Sequence, residues 1–77
     1  MHRALSLRQE AILGFISIHL SEYPFAPTVR EIQSGLRISS PSVVEYNLNI
    51  LERQGYIKTW PGRARAIEVL KLHEEGG

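Results

Sequence analysis

A chain of 77 residues, 43% hydrophobic and 22% charged, is one small globular domain, with room for a core but not for a separate catalytic lobe. The absence of cysteine excludes a disulfide framework, a thiolate metal site and a cysteine nucleophile, and fits a reducing cytosol. A formal charge of +1 gives no strong pointer to a partner, no run of about 18 apolar residues could span a membrane, and Met1-His2-Arg3-Ala4-Leu5 leads into a charged amphipathic segment rather than a signal peptide.

In chain order, Ser6-Leu7-Arg8-Gln9 fits a capping box and predicts a first helix from Leu7. Ile12, Phe15, Ile16 and Leu20 recur at spacings of three and four and form its core face, while Arg8, Glu10 and Ser17 point elsewhere. Tyr23-Pro24-Phe25-Ala26-Pro27 breaks that helix, because proline lacks the amide donor and disfavours the α region in the residue before it. Thr28 and Glu31 form a second capping box, opening a short helix with Val29, Ile32 and Leu36 as its apolar stripe. Ser40 suits an N-cap and Pro41 suits the first helical position, so a third helix is expected from Pro41 to about Gln54. Val44, Leu48 and Leu51 form its buried edge, and Gly55 is placed to end it in the left-handed conformation. Tyr56-Ile57-Lys58-Thr59-Trp60 and Ala66-Ile67-Glu68-Val69-Leu70 read as the strands of an antiparallel hairpin joined through the turn signal Pro61-Gly62.

The fold class is therefore mainly α (α+β): a winged helix-turn-helix of three helices followed by a two-stranded antiparallel β-hairpin wing. It is expected to fill residues 1–72, with a flexible tail over 73–77. From Thr28 to Arg65 there are six basic residues (Arg30, Arg37, Arg53, Lys58, Arg63, Arg65) against three acidic ones (Glu31, Glu45, Glu52), which allows a basic face on a nearly neutral protein.

Opposite its core edge, the third helix carries Ser42, Glu45, Tyr46, Asn49 and Arg53 on one face of the 3.6-residue period. A recognition helix needs hydrogen-bonding groups there, above all near its N-terminus, to reach base edges in the major groove. Ser42, Glu45 and Tyr46 are the candidates for base contacts, and Val43 is placed to touch a thymine methyl. Glu45 is informative, since an acid facing phosphates is repelled unless it accepts from a cytosine amino group. Any surface helix shows a polar face, and it is the surrounding helix-turn-helix and wing that turn the reading toward DNA. Arg63 and Arg65 flank Ala64 at the hairpin tip and can both point to phosphates or into the minor groove. Ser40 and Thr28 can cap their helices and also meet a phosphate. Trp60 could stack on a sugar, although a strand tryptophan in so small a domain is more often core.

On these residues the chain resembles the N-terminal DNA-binding domain of the LexA repressors of the bacterial SOS response. The resemblance runs from about Ala4 to Leu70. It is carried by Leu7-Arg8-Gln9, Pro27-Thr28-Val29-Arg30-Glu31-Ile32, Ser40-Pro41-Ser42, Leu48 to Gly55, and Pro61-Gly62-Arg63-Ala64-Arg65-Ala66-Ile67. It implies three helices and a β-hairpin, dimeric binding to a palindromic operator, and DNA-reading positions at Ser40, Ser42, Val43, Glu45 and Tyr46. Where the family commonly has Asn-Ala-Ala-Glu-Glu or Ser-Thr-Val-His-Gly, this chain has Ser42-Val43-Val44-Glu45-Tyr46, so its operator is expected to be neither familiar one. Arg37 stands where the family usually places a turn glycine. Either it adopts the left-handed conformation, at roughly 1–2 kcal/mol, or the second helix ends early at Gly35.

Full-length relatives carry a C-terminal peptidase domain with a serine–lysine dyad, which also mediates dimerisation. This chain stops at Gly77, its lysines are Lys58 and Lys71, and His2, His19 and His73 show no ligand or triad spacing. No catalysis, cofactor or metal is expected from it, whether it is a piece of a longer protein or stands alone. The expected partner is double-stranded DNA, bound by a weak homodimer formed on the operator from a monomer or weak dimer, in a bacterial cytoplasm at the nucleoid and with no membrane contact. Half-sites would lie about one helical turn apart, roughly 34–36 Å. The rival reading is a winged helix used as a protein–protein interaction module. RNA binding is disfavoured because no aromatic stacking platform is evident.

Overall fold

Among the described residues, each helix begins where a side chain can accept one of its first, otherwise unpaired, N–H groups. In the computed structural model, which describes residues 5–60, 62–63 and 65–71, helix α1 runs over Leu7–Glu22, α2 over Val29–Leu36 and α3 over Pro41–Arg53. At α1 the Ser6 hydroxyl accepts from the Gln9 N–H (3.1 Å) and the Ser6 N–H donates to Gln9 Oε1 (3.0 Å). Thr28 and Glu31 make the same reciprocal pair at α2, at 3.1 and 2.9 Å. Ser40 caps α3 by accepting from the Val43 N–H, with Pro41 in the first turn. Strands β1 (Ile57–Thr59) and β2 (Ile67–Val69) then pair antiparallel in the register Ile57 to Val69, Lys58 to Glu68 and Thr59 to Ile67. This is the expected winged helix-turn-helix. The expected domain limit and tail, and the turn residues Pro61 and Ala64, lie outside the described residues.

The ends of α2 and α3 resolve the question posed by Arg37. At α2 the Arg37 N–H reaches the Ser34 carbonyl (3.3 Å) and the Ile38 N–H reaches that of Gln33 (2.9 Å), with Arg37 left-handed at φ 56° and ψ 43°. At α3 the same two bonds run from Gly55 to Glu52 and from Tyr56 to Leu51, both at 3.0 Å, with Gly55 at φ 85°. Both are Schellman closures, in which the residue after the helix turns left-handed and the next apolar residue folds back inward. Ile38 is buried accordingly. The arginine therefore takes the glycine's conformation, and Gly35 serves another purpose: a Cβ there would overlap the ring of Phe15 on α1. Replacing Arg37 with glycine relieves the left-handed penalty of about 1–2 kcal/mol and gives back about 0.4–1 kcal/mol through the freer unfolded chain. The net expectation is a stabilisation of up to about 1.6 kcal/mol, read as a higher midpoint in urea with an unchanged slope.

The three helices and β1 close over one core, whose fully buried members are Ile12, Leu13 and Ile16 of α1, Ile32 of α2, Val44 and Leu51 of α3 and Ile57 of β1. Two sequence expectations shift. Leu13 occupies the interior, while Phe15 and Leu20 pack against its edge only partly buried, because α1 is embraced from two sides and buries a wider arc than one stripe. Trp60, expected as core, is 38% exposed, with the Lys58 ammonium 5.4 Å from its ring centroid. Among the described residues the sheet has two strands, so one of its faces meets the helices and the other meets solvent.

Candidate nucleic-acid interface

Helix α3 is fixed in place by polar contacts at its middle and near its C-terminal end. At mid-helix, the buried Asn47 donates from Nδ2 to the Val43 carbonyl (2.8 Å) and accepts at Oδ1 from Gln9 Nε2 (3.1 Å). Gln9 thus caps α1 with its oxygen and grips α3 with its nitrogen. Near the C-terminal end, Glu52 accepts from the Thr59 N–H (3.2 Å) and hydroxyl (2.7 Å), which ties the helix to β1. These restraints hold both the tilt and the rotation of α3, so the side chains facing away from the core sit on a rigid platform. Periodicity missed Asn47 because a polar residue beside Leu48 reads as solvent-facing.

Ser42, Glu45, Tyr46, Asn49 and Arg53 all lie exposed on that platform, Tyr46 at 65%. Val43 is different: it is half-buried and packs against the core, which leaves only part of its side chain to face outward. Ser40 and Thr28 are half-buried at their caps. Beside α3 an open groove of about 600 Å³ runs between the start of α2 and the hairpin, bordered by Thr28, Arg30, Glu45, Asn49, Trp60 and Arg63 among others. The structure thus joins the polar face of α3 to the wing through one continuous depression. Arg30 and Trp60 belong to its rim and were not singled out from sequence as site residues with that role. For Arg30 the available signal was its place in the first turn of α2, beside a capping threonine.

The wing arginines are placed differently from each other. The Arg63 N–H closes a turn onto the Trp60 carbonyl (3.2 Å) with Gly62 at φ 80°, and the exposed Arg63 guanidinium has no partner among the described residues. Arg65, expected to point outward as well, turns back instead. Its Nη1 and Nη2 donate to Glu31 Oε1 (3.0 Å) and Oε2 (2.9 Å), and Nη1 also donates to the Ala26 carbonyl (3.1 Å). Its guanidinium carbon lies 4.6 Å from the centroid of the Phe25 ring.

Glu31 responds to this company. The bond from Arg65 and the N–H bond from Thr28, with smaller help from the charges of Arg65 and His19, hold its carboxyl below the usual carboxylate range against an opposing effect of desolvation. A carboxyl depressed in the folded state stabilises that state fully above its unfolded pKa. That stabilisation is lost as the pH falls through the folded value. Two of the three acids between Thr28 and Arg65 therefore have internal partners, Glu31 with Arg65 and Glu52 with Thr59, and Glu45 remains as the acid on the exposed face of α3. Among the described residues no group of three or more His, Cys, Asp or Glu could hold a metal ion.

The sequence profile of the LexA DNA binding domain matches residues 2–66 of this chain. The LexA repressor of Roseiflexus sp. (strain RS-1) is 51% identical over 68 residues, covering 88% of this chain and 31% of the relative. That of Carboxydothermus hydrogenoformans is 41% identical over 66 residues, 86% of this chain and 32% of the relative. For Bifidobacterium adolescentis the identity is 39% over 71 residues, 92% of this chain and 28% of the relative. The chain thus spans about 30% of the length of the curated relatives it matches, and the matched part is the DNA-binding segment, so no catalytic activity is ascribed to these residues.

Proposed function

Because the chain belongs to the LexA DNA-binding-domain family, we propose that it reads sequence in double-stranded DNA as the operator-binding part of a bacterial transcriptional repressor of the SOS type. The observation that carries this reading is the single exposed polar face of α3, held rigid from behind and continuous through the groove with Arg63. In the proposed complex the N-terminal half of α3 enters the major groove. Ser42, Glu45 and Tyr46 meet base edges there, with Val43 beside a thymine methyl and Asn49 and Arg53 further along. The capped starts of α2 and α3, with Thr28 and Ser40, face phosphates. The groove rimmed by Arg30 and Trp60 seats the backbone of one strand, and Arg63 reaches the next phosphates or the minor groove.

A single module of this size reads few base pairs, each worth about 1–3 kcal/mol. A palindromic operator engaged by two chains, associating weakly or only on DNA, supplies the remaining affinity through effective concentration. Among the described residues no helix is long and apolar enough to cross a membrane, and a cytoplasmic, nucleoid-associated location is part of the proposal.

Titration of the isotopically labelled chain with a duplex, followed by amide NMR, tests the placement. The expected shifts fall on residues 40–49, the start of α2 and Arg63. Shifts confined to the exposed side of α1, or none at low salt, would turn the assignment toward a protein-interaction module.

A further inference from the structure

Arg65 sits in the wing, and its bidentate pair with Glu31 is the most specific long-range polar contact among the described residues. Its guanidinium meets both oxygens of Glu31 in a parallel fork, adds the Ala26 carbonyl and covers the Phe25 ring. A fork of this kind fixes orientation as well as distance, which a lysine cannot do. Its backbone is left-handed at φ 59°, a conformation disfavoured for any residue with a side chain, and one that persists only where the surroundings enforce it. Its partner is already committed, since Glu31 Oε1 also accepts from the Thr28 N–H that opens α2. One carboxylate therefore joins the first turn of the helix-turn-helix to the tip of the hairpin.

From this geometry we infer that Arg65 and Glu31 form a clasp that positions the wing for DNA, leaving Arg63 as the wing's phosphate-facing cation. The inference rests on the DNA-binding reading above and deepens it. Arg65 is a positioning residue: its charge is spent on Glu31, and its effect on DNA is exerted through the setting of Arg63 and the groove wall at Trp60. An exposed single ion pair is ordinarily worth little for stability, and the clasp is not required to hold the fold together. What it fixes is the direction in which the hairpin tip points before DNA arrives, so that this ordering is not charged against binding.

The test is a salt series of anisotropy titrations of the 77-residue chain and its variants on a fluorescein-labelled random-sequence duplex. The variants are Arg63→Ala, Arg65→Ala, Arg65→Lys, Glu31→Gln and the Glu31→Gln/Arg65→Ala pair. Glutamine at position 31 keeps the capping box while ending the charged fork, so α2 is preserved. Losing one preordered side chain weakens binding by about 2- to 12-fold, and that loss is expected for Arg65→Ala, Arg65→Lys and Glu31→Gln alike, with the double variant no weaker than either single. The slope of log K against log salt stays at the wild-type value in all of these, whereas Arg63→Ala lowers its magnitude by about 0.9, the signature of one lost phosphate contact.

The inference is overturned if Glu31→Gln tightens binding, Arg65→Lys retains it and Arg65→Ala lowers the slope by the same amount, because Arg65 would then leave Glu31 for a phosphate. A wild-type chain that binds no duplex at low salt overturns the DNA-binding reading itself. The clasp is checked apart from DNA by the NMR titration of Glu31 in the free chain, where its depressed pKa is expected to rise in Arg65→Ala, the Thr28 N–H bond and His19 keeping the rest of the depression. With His19 as the other charge acting on Glu31, an unchanged Glu31 titration in that variant would also overturn the clasp.

Discussion

A chain carrying Ser42→Ala, Glu45→Ala and Tyr46→Ala together is expected to bind its selected operator no more tightly than a random duplex. A well-made base contact discriminates by about 1–3 kcal/mol, so three of them account for roughly 3–9 kcal/mol. That is the scale of the 4–10 kcal/mol that commonly separates specific from non-specific binding. What remains is phosphate attraction, with a Kd of about 10⁻⁴–10⁻⁶ M at physiological salt. The fold should be untouched: all three side chains are exposed, and alanine is the strongest helix former at such positions. The comparison is a pair of anisotropy titrations, selected against random duplex, alongside a thermal melt. A variant that melts normally and keeps its preference for the selected duplex would remove the α3 face from the account.

The second large effect is on stability. Leu51 is fully buried where α3 meets the core, and truncation of such a residue to alanine costs about 2–5 kcal/mol, depending on how far the site can collapse. A 77-residue chain has in total only roughly 4–12 kcal/mol at the usual 0.05–0.15 kcal/mol per residue. Leu51→Ala is therefore expected to lower the melting temperature by at least about 10 °C and to leave a sizeable unfolded fraction near the growth temperature of a mesophile. Circular dichroism during heating measures it. A shift of only a few degrees would mean that the core does not close over Leu51 as described.

What was legible in the sequence was whatever the chain decides within four residues. Ser6 with Gln9, Thr28 with Glu31, Ser40 with Pro41, and Gly55 marked the helix ends because capping and left-handed closure are local chemistry. Val44, Leu48 and Leu51 showed the buried edge of α3 because one helix face repeats at fixed spacing. The polar face of the same helix was readable for the same reason.

The remainder depends on partners far away in sequence. Arg65 looked like a second outward wing arginine because nothing near it names Glu31, which lies 34 residues earlier. Asn47 is buried because Gln9, 38 residues away, offers its amide, and Leu13 is core because other elements cover α1 from more than one side. Arg37 was left open between two geometries, since local propensity disfavours a left-handed arginine and only the fold-back of Ile38 into the core makes it the better solution. Gly35, which looked like a possible helix end, is a glycine because Phe15 needs the space.

The central claim is that the exposed face of α3 reads sequence, and selection from a randomised duplex pool at two salt concentrations tests it most directly. The account predicts enrichment of an inverted repeat with half-sites about one helical turn apart, bound at the higher salt as well as the lower. Sequence-blind retention that disappears as salt rises would contradict it, leaving only phosphate attraction on a scaffold whose specific partner is something other than DNA.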